Sequence, residues 1–251
     1  MIIDMAYRSE KGPVRMKNQD AVLAESSGNM GIFAVADGMG GHSRGEDASA
    51  VLVTKLRVWW NSLHKSSESY AIDEISEQCH QVLIQANQDI YLTFSLQNEI
   101  GGSTVVVLLV WGASYAVISI GDSHIYHREG RRMMPLTVDD VWENLPEVRN
   151  VMPEEEISKS PQYGKLTAAA GVALQPKFQM KILPLKKEEI FLLCSDGIYK
   201  YCGDKELNRV MCGTAGLHSA ETMLKKLEKC VLSNGAGDNY SAVICRTKLK
   251  G

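Results

Sequence analysis

Residues 100–121 read IGGSTVVVLLVWGASYAVISIG, 22 residues without a charge, and how they fold decides the class of protein. The length is close to the ~20 residues a membrane-spanning helix requires. The composition argues otherwise. Eight of the 22 are Gly, Ser or Thr, and Trp111-Gly112-Ala113-Ser114 interrupts two runs rich in Val and Ile. β-branched runs on either side of a short Gly-containing break predict two buried strands joined by a tight turn, and no membrane span.

On the amino-terminal side of this hairpin, two segments carry apolar residues at three- and four-residue steps. Ala48, Val51, Leu52, Leu56, Trp59 and Leu63 form one set, and Ile72, Ile75, Cys79, Val82, Ala86 and Ile90 the other. That period predicts two amphipathic helices, each with one buried face. Before them, residues 1–9, 20–26 and 30–38 are short, apolar and bounded by Gly, Asn or Asp, the punctuation of strands. Beyond the hairpin, residues 124–133 predict a further strand, and 178–185 and 189–197 two more. A last helix carries Leu217, Ala220, Leu224, Leu227 and Val231, and residues 235–248 close the chain as a strand. Between Thr137 and Gly164 lies a polar excursion with seven acids against two bases, of the kind that forms lids or binding loops. Strands clustered at both ends around paired helices predict two antiparallel sheets with helices outside, rather than a parallel sheet.

The 27 Lys+Arg and 30 Asp+Glu leave a net charge of −3, which excludes a nucleic-acid or anionic-membrane binder driven by net charge. Six cysteines stand far apart without a CxxC pair, so they read as reduced core residues. The first residues include Asp4 and no basic segment ahead of a long apolar one. A secretory signal is not expected, and the cytoplasm is. With no repeat, low-complexity tract or linker, residues 1–251 are expected to form a single domain.

Chemistry enters through aspartates at strand ends. Asp20 follows Asn18-Gln19, Asp37 precedes Gly38, Asp122 sits in Gly-Asp-Ser, Asp196 in Ser-Asp-Gly and Asp238 in Gly-Asp-Asn. One Asp-Gly is a common turn former. Five such sites converging at one sandwich edge would offer hard oxygen ligands suited to Mg²⁺ or Mn²⁺. Zinc is disfavoured, because no Cys/His set has ligand spacing.

The segments 8–21 (RSEKGPVRMKNQDA), 33–49 (FAVADGMGGHSRGEDAS), 101–110, 115–126 (YAVISIGDSHIY), 191–201 (FLLCSDGIYKY) and 235–244 (GAGDNYSAVI) together resemble the metal-dependent protein serine/threonine phosphatases of type 2C, particularly their compact bacterial form. The resemblance implies an α+β fold: a four-layer αββα sandwich, its central antiparallel β-sandwich flanked by helix pairs, with a flap at about 137–176. It implies hydrolysis of phosphoserine and phosphothreonine in proteins by a water bridging two Mn²⁺ or Mg²⁺ ions, with a third ion in some members. Asp37 would bridge both metals, Gly38 would give a backbone carbonyl, Asp196 and Asp238 would complete one shell, and Asp20 with Gln19 would serve the second. Many members carry glutamate where this chain has Gln19, so a weaker second site is expected. Asp122, with Asp196, matches the ligands of the looser third metal.

Arg15 matches the arginine that grips substrate phosphate, and is expected to touch substrate and not metal ligands. Animal members place a histidine two residues after the bridging aspartate. Met39 stands there, and His42 follows as a candidate general acid or a loop-structuring residue. The Asp139-Asp140 and 166–171 segments lack a histidine and an arginine common near the flap. Expected partners are phosphorylated Ser/Thr proteins, including a cognate bacterial Ser/Thr kinase, with no nucleic acid. The rivals are a pseudophosphatase that binds phosphoproteins without turnover and a small-phosphoester hydrolase on the same fold.

Overall fold

A computed structural model describes residues 2–40, 44–66, 70–213 and 218–249. Two antiparallel sheets form its centre. In one, the strands run in the order β1 (Ile2–Glu10), β11 (Tyr240–Lys248), β10 (Glu188–Cys194), β7 (His124–Glu129), β8 (Arg132–Pro135). The other has the order β2 (Asp20–Ser27), β3 (Met30–Gly40), β5 (Val105–Trp111), β6 (Ser114–Ile120), β9 (Gln179–Pro184), with β4 (Gly101–Ser103) paired to the end of β3.

The decisive hairpin is β5–β6. Trp111 and Ser114 pair across a two-residue turn, and Gly112 takes a φ of 60° at its first position, which suits glycine in a tight hairpin. The unbroken apolar run of β5 reflects burial on both faces. Val105, Val107 and Leu109 pack toward α1 (Arg44–Ser66) and α2 (Ile72–Leu96), while Val106, Leu108 and Val110 fill the space between the sheets with Phe33, Val35, Phe191, Leu193 and Val243. The opposite sheet buries its outer face under α5 (Asp196–Cys212) and α6 (Ala220–Ser233). The result is the four-layer αββα sandwich. All six cysteines are buried and free, and among the described residues no helix is long and apolar enough to cross a membrane.

The structure corrects one expectation and adds two features that the sequence did not show. Residues 124–133 are not one strand but part of a hairpin, β7 and β8, turning at Gly130 with φ 59°. Helix α5 had no counterpart in the periodicity, because Gly203 at φ 62° interrupts it and a polar, kinked helix carries a weak apolar period. The excursion after β8 holds a single-turn 3₁₀ helix (Trp142–Asn144) and two short helices, α3 (Pro146–Arg149) and α4 (Glu154–Lys159), pinned by buried Val141, Val148 and Ile157. Leu217, expected in the last helix, lies outside the described residues.

Candidate metal and phosphate site

Side chains alternate along each strand, so the inward positions that carry Val22, Val35, Leu193 and Val243 continue, two residues on, to Asp20, Asp37, Ser195 and Ser241. The apolar inter-sheet core therefore ends in a polar layer. Asp20 and Asp37 are direct cross-strand partners. Like charges in that register repel. Burial pushes the Asp20 carboxyl up to about 6, opposed by the neighbouring Ser241 and Ser195 hydroxyls. Burial likewise raises Asp37 well above the usual carboxylate range, reinforced by the charges of Asp20, Asp196, Asp122 and Asp238. The Ser195 hydroxyl donates to Asp20 Oδ2 at 2.8 Å, whereas buried Asp20 Oδ1 accepts no hydrogen bond.

The backbone at Asp37 is clamped. Its N–H donates to Thr104 Oγ1 at 3.2 Å, and its carbonyl accepts from Thr104 N at 2.9 Å and Ser103 Oγ at 3.0 Å. The next residue must be glycine, because a Cβ on Gly38 would lie 2.1 Å from the Gly45 carbonyl oxygen and 2.5 Å from that of Gln19. This close approach seats the start of α1 against β3.

Asp196 is the first residue of α5 and accepts from Lys200 Nζ at 2.7 Å. Asp122 follows β6; burial raises its carboxyl, the charge of Asp196 adds to that, and Lys200 opposes it. Asp238 precedes β11, and its Oδ1 accepts from Asn239 N at 2.8 Å. Its Oδ2 accepts from Arg15 Nη2 at 2.7 Å. That contact corrects one expectation: Arg15 touches a candidate ligand carboxylate directly, because the loop after β1 folds back over the start of β11.

Asn239 explains how the loop is held. Its Oδ1 accepts from Gln19 N at 2.9 Å, and its Nδ2 donates to the carbonyls of Lys11 at 2.9 Å and Lys17 at 2.8 Å. Sequence reasoning passed over Asn239, although its place beside Asp238 was the available signal. Lys200 was missed with the helix that carries it.

Arg15, Gln19, Asp37, Gly38, Asp122, Asp196 and Asp238 all line one cleft of about 300 Å³. Asp20 lies behind it, and His42 falls outside the described residues. Asp140, in the excursion, ties that segment to the cleft edge by accepting from Gly121 N at 2.9 Å. Among the described residues, no three carboxylate, histidine or cysteine side chains converge on one point; Asp238 and Asp196 are turned to Arg15 and Lys200. The donor set nevertheless fits hard divalent cations: all oxygen, rich in acid, with an unpartnered buried carboxylate oxygen opposite a second carboxylate.

The protein phosphatase 2C family profile matches residues 14–232. The chain is 25% identical over 254 residues to the serine/threonine phosphatase stp of Listeria monocytogenes, covering 97% of this chain and 95% of that one. It is 28% identical over 250 residues to the protein phosphatase PhpP of Streptococcus pneumoniae, covering 96% of each. The solved serine/threonine phosphatase of S. agalactiae superposes with a TM-score of 0.85 at 21% identity, over 99% of this chain and 100% of the other.

Proposed function

The chain belongs to the protein phosphatase 2C family of serine/threonine phosphatases, and from that premise we propose that it hydrolyses phosphoserine and phosphothreonine in proteins with the help of two Mg²⁺ or Mn²⁺ ions. The observation that carries this reading is the Asp20–Asp37 pair, two carboxylates in direct register, Asp37 lining the cleft with Asp20 behind it and an arginine on the rim. Such ions, when bound, lower the pKa of water, orient it and neutralise phosphoryl oxygens.

In this reading Asp37 would hold both ions and the Gly38 carbonyl one of them, Asp196 and Asp238 would complete one shell, and Asp20 with Gln19 would support the other. An amide at position 19 keeps an acceptor but lacks the charge, which weakens the second site. Asp122 and Asp196 are the ligands for a further, looser ion. Arg15 binds the substrate phosphate with a guanidinium fork. Since it also bonds to Asp238, phosphate and carboxylate share its donors. Among the described residues lining the cleft, Thr104 is the sole hydroxyl or thiol, and its oxygen is engaged by Asp37 N and Ser123 Oγ. That argues against a phosphoserine, phosphothreonine or phosphocysteine intermediate, and the proposed attacking group is water.

Residues 1–251 are read as one catalytic domain with a flap at about 137–176, supported by Leu166 at the cleft wall. The proposed substrates are phosphoproteins of the cytoplasm, including a cognate Ser/Thr kinase. Hydrolysis of a phosphothreonine peptide in a Mn²⁺ titration, with and without EDTA, tests the proposal. Metal-dependent phosphate release is expected, and none at any Mn²⁺ concentration refutes it. Gln19 favours a second reading, a phosphoprotein binder without turnover, which predicts peptide binding in the absence of phosphate release.

A further inference from the structure

Lys200 stands four residues after Asp196 on α5, and helical spacing puts such a pair on one face. The contact at 2.7 Å therefore follows from the backbone. The ammonium also lies 5.9 Å from the centroid of the Tyr199 ring. Tyr199 is itself held: its ring stacks on His124 with centroids 4.0 Å apart, and His124 bonds to Asp139 at 2.8 Å and Tyr126 at 2.7 Å. On its other side the Tyr199 hydroxyl reaches Asp122 Oδ2 at 3.5 Å.

Pairs of this spacing are common on helix surfaces. This one differs because its acid lines the cleft together with Asp122, and because the hydroxyl of the neighbouring Tyr199 reaches that second carboxylate. We infer that Lys200 is a built-in cation that competes with a divalent ion for the Asp122–Asp196 side of the cleft. Two ions then fill the centre readily, and a third enters only at high concentration. The inference rests on the reading of these carboxylates as metal ligands.

Calorimetric titration of Mn²⁺ into wild type, Lys200→Gln, Lys200→Arg and the double variant Lys200→Gln/Asp122→Ala tests it, with circular dichroism confirming the fold of each. Removing a unit positive charge beside a cation site should tighten the weakest Mn²⁺ step by about tenfold, with both tight steps still present. Lys200→Arg should retain wild-type stoichiometry, because it retains the charge. Adding Asp122→Ala should cancel the tightening. Unchanged Mn²⁺ steps in Lys200→Gln, with the two tight steps present, overturn the inference alone. Tightening that survives in the double variant overturns it also, by placing the effect away from Asp122. A wild type that binds no Mn²⁺ overturns the metal-centre reading, and this inference with it.

Discussion

Replacing Asp20 with asparagine should stabilise the metal-free protein and weaken the metal-bound one. The folded chain holds this carboxyl at about 6 instead of 3.8, chiefly through burial, so ionising it costs more in the folded than in the unfolded state. A gap of roughly two pH units corresponds to at most about 3 kcal/mol at neutral pH. Between pH 3.8 and about 6 the folded chain keeps a proton that the unfolded chain has lost. Stability from this group is therefore highest below that window, falls as pH rises through it and stays low above it. Asparagine removes the charge, keeps an acceptor for the Ser195 hydroxyl and can set an N–H where Oδ1 now accepts nothing. At about 2–4 °C per kcal/mol for a chain of this size, Asp20→Asn should melt roughly 5–10 °C above wild type in EDTA at pH 7.5, and the gap should narrow toward pH 5. Saturating Mn²⁺ should reverse the order, since a ligand that binds the native state stabilises it by mass action and the variant binds it less well. Thermal melts in EDTA and in Mn²⁺ at the two pH values make the comparison. A wild type as stable as Asp20→Asn in EDTA at pH 7.5 refutes the reasoning.

Asp37→Asn should lower phosphatase turnover by roughly two orders of magnitude or more while remaining folded, because it removes a charge needed to hold cations and activate water; steady-state phosphate release checks this. Arg15→Ala should raise KM by about tenfold or more through the loss of charge-assisted hydrogen bonds, and Arg15→Lys should recover only part of it. Because Arg15 also bonds to Asp238, the alanine variant should bind Mn²⁺ more tightly in calorimetry, not with unchanged affinity. Asn239→Ala removes three hydrogen bonds to the 11–19 loop, about 1 kcal/mol each, and should speed limited proteolysis of that loop well before the global melting point falls.

Much of the architecture was legible because local physics and tertiary packing agree. The Ile100–Gly121 hairpin declared itself through β-branched runs around Gly112, and α1 and α2 through long apolar faces that the sheet covers. Helix α5 was hidden because Gly203 breaks it and Tyr199-Lys200-Tyr201 give it no clean stripe. The short helices after β8 are too brief for periodicity, and one buried residue anchors each of α3 and α4. Aspartates at strand ends marked the cleft, but which of them face each other depends on strand register. Nothing in the local sequence places Asp20 opposite Asp37, or Arg15 on Asp238, which is 223 residues away. Asn239 escaped notice for the same reason, since its partners lie in a loop more than two hundred residues earlier.

The central claim is that these carboxylates hold a two-metal centre, and anomalous scattering from crystals grown with Mn²⁺ measures that directly. Two peaks are expected in the cleft, roughly 3.5–4 Å apart, both ligated by Asp37, with Asp196 and Asp238 on one of them. An active, Mn²⁺-saturated crystal with no peak at Asp37, or with its manganese bound elsewhere, contradicts it.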